Sequence, residues 1–562
     1  MYVRRIRIQC YLQPVRIAVN RCELSVAPEK STPYNPLQMS LTDNNEILLR
    51  TLVDVLGPDS VLTGNAVAGY ATDVYRSRVM PIAVLRPTTI EQLQCAVRTA
   101  TAAGIALYTR GGGASYTDAY LPTRADSILI DMRALERIVE INEADGYVTV
   151  EAGITWASLK TALDERGLRT PFFGPFSGIA ATVGGSVSQH SISHGSGAHG
   201  ISAQSVISLD VVAADGSMLR TGSAARGAAP FARWYGPDLT GLFTGDCGVF
   251  GIKARVTLAL RRRLPAARYA SYAFDDFGRL ARGLAAAALE GLDDEHFAMD
   301  ARLAQGQIAR QARISRFITA KDLVASSASP WAALRQLIRS GLGGAKSLGA
   351  AAWSAHFILE GIDRQEARIK ARRLGELMRD AGGRSIANTV PALVRARPFA
   401  PLFNTLGPNG ERWVPLHGYL PHSQVPQFHL AVCEILRARQ ADMQRLGVWC
   451  GGMFMTLGSS AFLYELALYW PGAPSAYHRL TLPAGYLAAL PPAAHHPETS
   501  EFVDRLKREL VALYSRHQAV HFQLGKTYPY ASVLSPEPLA LVRAVKHALD
   551  PDGLLNPGAL EL

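Results

Sequence analysis

The chain is 562 residues long, 48% hydrophobic and 19% charged, with a mean hydropathy of +0.06, which fits a globular protein of two to four domains. Its net charge of +11 is diffuse, with no run of five like charges, and so argues for an anionic small ligand and against nucleic acid as a partner. Six cysteines without a CxxC pair argue against a disulfide framework or a cysteine-rich zinc site and fit a reducing compartment, read here as the cytoplasm; no run of 18 apolar residues offers a membrane-spanning helix.

Residues 1–24 carry five arginines against one glutamate, with neither the apolar core nor the cleavage site of a secretory signal. We read residues 1–38 as a disordered extension or a start assigned too far upstream, with Met39 opening the folded chain. "PIAVLRP" (81–87) predicts a buried strand, "TTIEQLQCAVRTATAAG" (88–104) a capped helix stopping at Gly104, and "IALYTR" (105–110) a second strand. That strand runs into "GGGASYTD", so a βαβ unit carries a glycine loop at a strand C-terminus, where α/β folds bind ligands. Strands follow at 127–132, in a hairpin over 137–153, over 206–220 with an Asp-Gly turn, and at 251–260. Residues 264–498 read as a second domain of helices (362–381, 427–446) on an antiparallel sheet (strands near 351–359, 413–419 and 462–470). Residues 499–562 return to the first domain, which spans 39–263.

The loop is no dinucleotide fingerprint, because GxGxxG is missing and Tyr116, Tyr120 and Pro122 oppose an immediate helix. A phosphate would instead sit in a nest of consecutive amides over Gly111, Gly112, Gly113, Ala114 and Ser115, with glycine keeping any Cβ away from it. Ser115 would add a hydroxyl and Arg110 charge balance. Two further glycine-rich stretches, 171–200 and 235–253, suggest backbone lining one long flat ligand.

"RGGGASYTD", "VTVEAGITWASL", "TVGGSVSQ", "DVVAADG", "GDCGVFGIKARVTL" and "LDPDGLLNPG" together resemble, in order, the FAD-binding domain of the vanillyl-alcohol oxidase/p-cresol methylhydroxylase superfamily. The resemblance covers residues 45–262 and, more weakly, the last 60. It implies an α+β fold in which a two-subdomain FAD-binding domain is covered by an α+β cap of antiparallel sheet and helices. It also implies roles by motif: Thr182, Gly184, Gly185 and Ser188 at phosphate or ribitol, Gly251 and Ile252 along the flavin, and Asn556 near the cofactor. Asp246 is left open between turn capping and a flavin contact. In berberine-bridge-type relatives a histidine tethers the flavin after the glycines. Ala114 stands there in this chain, so non-covalent FAD is expected, with His356, His417 and His422 as the alternative tethers.

The resemblance places His521 where related enzymes carry an active-site histidine, with Lys526 and Tyr528 nearby, and a neutral histidine suits the base role. His417 and Tyr419 share one face of a cap strand. No paired-histidine run with an adjacent Glu is present, so no metal is expected, and "GSGAHG" lacks the acidic residue of the phenol oxidases, with His199 in its place. The expected function is FAD-dependent oxidation of a C–OH group in a small 2-hydroxy acid or alcohol by hydride transfer to flavin N5. A phenolic-alcohol oxidase and a redox-inactive flavin-binding protein are the alternatives. The electron acceptor (oxygen, a quinone or a cytochrome) and homodimer formation are left open.

Overall fold

Four short strands, β1 (Val61–Leu62), β2 (Ala83–Leu85), β3 (Ala106–Arg110) and β4 (Ser127–Asp131), form the first sheet in the order β1-β2-β4-β3. β2 and β3 both run parallel to β4, which requires a crossover, and the helix Ile90–Ala102 supplies it. Thr89 starts that helix by accepting the Gln92 N–H on its Oγ1, and Gly104 ends it at φ +71. The helix buries Leu93, Ala96 and Val97 against Ile128 and Ile130. The computed structural model describes residues 41–314, 351–399, 401–493 and 496–562, so the expectation for residues 1–38 lies outside the described residues.

The next strands are β5 (Ile138–Asn142), β6 (Tyr147–Glu151), β7 (Leu168–Arg169), β8 (Val206–Val212), β9 (Met218–Arg220), β10 (Ile252–Ala259) and β11 (Arg261–Arg262). Five of them make an antiparallel sheet in the order β5-β6-β10-β8-β9, and β7 pairs with β11. The β8–β9 turn is the Asp-Gly turn read from sequence: Asp215 accepts the Ser217 N–H and Gly216 takes φ +77.

The third sheet is antiparallel throughout, in the order β15-β12-β14-β13-β17-β18-β16. Its strands are β12 (Ala266–Phe274), β13 (Glu295–Asp300), β14 (Trp353–Gly361), β15 (Arg384–Ser385), β16 (Arg412–Pro421), β17 (Trp449–Leu457) and β18 (Ala461–Trp470). Strand side chains alternate between the two faces, and on one face Phe357, Leu416, Phe454 and Tyr464 pack under four helices, Phe277–Glu290, Arg364–Asp380, Val425–Ala438 and Pro497–Arg516. The register puts His417, Glu465 and Met453 side by side on the opposite face, with Tyr419 and Met455 one step along. This face meets the first half of the chain, for Ile192 and Phe522 pack with Met455 and Leu463.

The α+β class agrees with the sequence reading, and two boundaries move. The helix expected over 427–446 is two helices, Val425–Ala438 and Gln440–Arg445, broken at Arg439. The helix Pro497–Arg516 belongs to the core of the seven-stranded sheet through Phe502, Leu506, Leu510 and Tyr514, so the chain crosses back after it and not at residue 499. The return ends beside β3, where the Leu107 N–H donates to the Leu554 carbonyl (2.7 Å) and the Asn556 N–H to the Leu107 carbonyl (2.8 Å).

Candidate functional site

β3 delivers the chain into the glycine loop, and the loop's own backbone carries the first functional feature. Among the described residues, none of the amide N–H groups of residues 111–116 donates to a protein acceptor. Gly111, Gly112, Ala114, Ser115 and Tyr116 are only half-buried, so the run is partly accessible. Buried amides are nearly always paired, and consecutive unpaired ones form a concave nest that suits a phosphate.

The steric reason for the glycines differs from the one the sequence suggested. A Cβ on Gly111 would overlap Thr182 Oγ1, and one on Gly112 would overlap the Ala180 carbonyl. Gly113 sits at φ +74 with the Arg110 guanidinium where its Cβ would be. Neighbouring protein therefore demands the glycines directly. Arg110 is buried between the rings of Tyr70 and Tyr120 (5.2 and 5.5 Å), and its Nε has no partner. Tyr120 fixes the loop from below, its hydroxyl donating to the carbonyls of Thr72 and Gly113.

Facing the loop, Thr182 caps the helix Val183–Gln189 by accepting the Gly185 N–H (3.2 Å). Gly184 packs on Ala152, whereas a Cβ on Gly185 would meet only Thr182 Oγ1; Gly185 and Ser188 are the half-buried members of this set. Gly251 packs on Val211, and the Ile252 side chain is core, leaving backbone as their only route to a ligand.

Asn556 and Lys526 form a clamp. The Asn556 amide donates to the carbonyls of Ala119 (2.9 Å) and Cys247 (2.5 Å), and its oxygen accepts from Lys526 Nζ (3.0 Å). Lys526 also donates to the carbonyls of Asp118 and Ala119 (3.2 Å each), and burial pushes its ammonium down to about 8. Its donors are directed to two backbone carbonyls and the Asn556 side chain, which gives Lys526 a structural part in this clamp. Asp246 is a buried partner of Lys253 and accepts the Gly248 N–H (3.1 Å), which is the turn-capping reading.

The second feature lies on the face of the seven-stranded sheet that packs against Ile192 and Phe522. His521 Nδ1 stands 2.8 Å from the carbonyl oxygen of His417, which can only accept, so Nδ1 carries the hydrogen and Nε2 the lone pair. That Nε2 is buried and has no partner. Burial pushes the His521 imidazole down to about 4, so the ring is neutral at pH 7. Tyr528 stacks on it at 4.1 Å and accepts the His417 backbone N–H on its hydroxyl (3.0 Å), which makes Tyr528 a holder of this strand. The His417 ring stacks on Phe522 (3.8 Å) with Tyr116 edge-on (5.9 Å); neither of its nitrogens has a partner, and burial holds it well below its ordinary value. The Tyr419 hydroxyl beside them is likewise unpartnered.

Sequence reasoning missed two members of this cluster. Tyr116 follows the amide nest directly and touches both Trp413 (5.4 Å) and His417. Glu465 lies opposite His417 across β16 and β18, and burial pushes its carboxyl up to about 8, which keeps it mostly protonated at pH 7. The signal was present, since Glu465 is the lone charge in "AFLYELALYW". The remaining candidates are engaged elsewhere. His356 meets Ser271 and Ser354, His422 Nε2 meets the Ser459 carbonyl, and His199 pairs with Arg261 and Asp294. Among the described residues no group of three His, Cys, Asp or Glu side chains could hold a metal ion.

Two family descriptions match the chain: "FAD binding domain" over residues 81–222 and "FAD linked oxidases, C-terminal domain" over residues 526–560. Glycolate oxidase subunit GlcD of Bacillus subtilis is 31% identical over 219 residues, 38% of this chain and 44% of that protein. D-lactate dehydrogenase [cytochrome] 1, mitochondrial, of Saccharomyces cerevisiae is 27% identical over 197 residues, 35% of this chain and 32% of that one. The matches thus span about half or less of these relatives' length. Among solved structures, p-cresol methylhydroxylase with substrate bound superposes with a TM-score of 0.70 at 18% identity, over 92% of this chain and 96% of that one, a likeness of fold. The amide nest lies inside the first matched segment and the Lys526–Asn556 clamp inside the second, so the chain carries an FAD-binding domain, with FAD as its cofactor, in the fold that p-cresol methylhydroxylase also has.

Proposed function

We propose that the protein oxidises a carbon bearing a hydroxyl group, with the substrate held between the glycine loop and the face of the seven-stranded sheet that carries His417. The observation that carries this reading is the buried lone pair on His521 Nε2, fixed by the Nδ1 hydrogen bond to the His417 carbonyl. Bound FAD would supply the acceptor for a hydride, which carries both electrons of the oxidation. Residues 111–116 supply amides for its pyrophosphate, with Thr182, Gly185 and Ser188 along the opposite wall.

His521 Nε2 accepts the hydrogen bond of the substrate hydroxyl and takes its proton as the carbon loses hydride. Burial keeps the His521 ring neutral and so able to accept a proton, and Tyr528 stacked on it fixes its plane. The protonated Glu465 and the Tyr419 hydroxyl are the donors that can orient an oxygen.

The rings around the two histidines are Tyr116, Trp413, Tyr419, Phe522 and Tyr528. Such rings favour an uncharged, ring-bearing alcohol. The second reading, a small 2-hydroxy acid, is supported by the names of the sequence relatives.

Anaerobic mixing of the flavin-loaded protein with hydroxybenzyl alcohols and with glycolate and D-lactate tests both: bleaching of the flavin by one set alone identifies the class. His521→Ala is expected to slow reduction by about 10²–10⁴-fold while flavin absorbance stays intact. Unchanged reduction by this variant removes His521 from the mechanism.

A further inference from the structure

Phe231, Trp234 and Tyr235 are 57%, 74% and 53% exposed, and they are the only exposed aromatic rings among the described residues. All three lie in one loop, and Leu239 and Leu242, 42% and 40% exposed, follow on a single helical turn. The remaining exposed large hydrophobics are all aliphatic or Met side chains, as on any soluble surface.

The loop is built to hold these rings out. Arg233 donates to the carbonyls of Ala203 (2.7 Å) and Val206 (3.3 Å) and pairs with Asp238 (2.8 Å). Ser223 Oγ donates to the Ala229 carbonyl (2.6 Å) and accepts the Ala232 N–H (3.2 Å). With its backbone tied down on both sides of Phe231, the loop cannot fold its aromatics inward.

We propose that this loop docks the protein on an anionic lipid surface. Trp and Tyr favour the membrane–water interface, where a ring is covered while its polar edge stays wet. Charge agrees. Asp238 is the only acidic residue over 225–242 and is neutralised by Arg233, whereas Arg226, stacked 5.9 Å over Tyr235, has no carboxylate partner among the described residues. The chain as a whole carries +11, which draws it to negative surfaces.

Area argues against a second copy as the occupant. At about 150–250 Å² per aromatic side chain, the five exposed groups present roughly 400–500 Å², short of the ~800 Å² per partner of a stable interface.

The test is co-flotation of the flavin-loaded full chain with extruded vesicles of phosphatidylcholine alone or mixed with phosphatidylglycerol. The wild type is expected to float with the mixed vesicles. The triple variant Phe231→Ser, Trp234→Ser, Tyr235→Ser is expected to lose roughly tenfold or more in partitioning. Arg226→Glu is expected to weaken it further than added salt does, and unchanged flavin absorbance certifies the fold of each variant. A wild type that stays unbound, or a triple variant that floats equally well, overturns the proposal. So does light scattering that shows a wild-type dimer lost in the triple variant, which would make a second copy the occupant.

Discussion

His417 and His521 are neighbours with opposite commitments, and their chemistry follows from that. His521 spends one nitrogen on a carbonyl and keeps the other as a lone pair, whereas His417 has both nitrogens unpartnered and is held by stacking alone. Of the three histidines that could tether a flavin, His356 is enclosed by two serines with burial pushing it down to about 3, and His422 binds the Ser459 carbonyl. That leaves His417 as the one residue to examine. With Ala114 at the loop position, acid precipitation of the flavin-loaded protein is expected to leave the yellow colour in the supernatant. A flavin that stays with the protein on a denaturing gel, and maps to the peptide containing His417, is the contrary result.

Among single elements, the helix Val183–Gln189 does most with least length. Its cap, Thr182, also fills the space that a side chain on Gly111 would need, so one threonine sets both the helix start and the approach of the glycine loop. Thr182→Ala is expected to cost about 1 kcal/mol of stability through the lost cap, read by denaturant melts, and to weaken FAD retention in parallel, read by flavin fluorescence during dialysis. Stability loss with full FAD retention would confine Thr182 to the cap. Strands, turns and the first helix were legible in sequence because period-two alternation and glycine stops are local signals. The break at Arg439 was not, since nothing in "LRARQADMQR" interrupts a helical pattern and the end is set by packing.

Across the whole molecule, a buried ionic cluster joins the first half of the chain to the seven-stranded sheet. Arg169 of β7 meets Asp294 (2.5 Å) and Glu360 (3.3 Å), and Arg395 meets Asp294 from the other side (2.6 Å). Burial alone would raise the Asp294 carboxyl, but His199, Arg169 and Arg395 hold it well below its usual range, and His194 with Arg395 lowers Glu295. Folded values below the unfolded ones mean that these groups stabilise the fold above about pH 4, and that this stability is lost as pH falls through that range. Asp294→Asn leaves two buried guanidinium groups poorly compensated and is expected to cost about 3–5 kcal/mol at pH 7. Its deficit against wild type should shrink below pH 4; urea melts at pH 7 and pH 3.5 measure both. A pH-independent deficit would locate the effect in packing.

From the sequence alone the order of the glycine loops was read directly, and the motif resemblance implied the α+β class and FAD, because each motif rests on residues adjacent in the chain. It also singled out His521 and His417. Only the tertiary structure decided which of the candidates act together. It withdrew Lys526 into a clamp with Asn556, and it reassigned the steric demand for Gly111 and Gly112 from a ligand to Thr182 and Ala180. It also brought Glu465 and Tyr116 to the imidazoles. Those outcomes depend on strand register and on segments meeting across separations from tens of residues (Lys526 and Asn556) to about 300 (Tyr116 and His417), and no local pattern encodes such contacts. The glycine loop is therefore a close-packed joint between two loops as well as a run of unpaired amides.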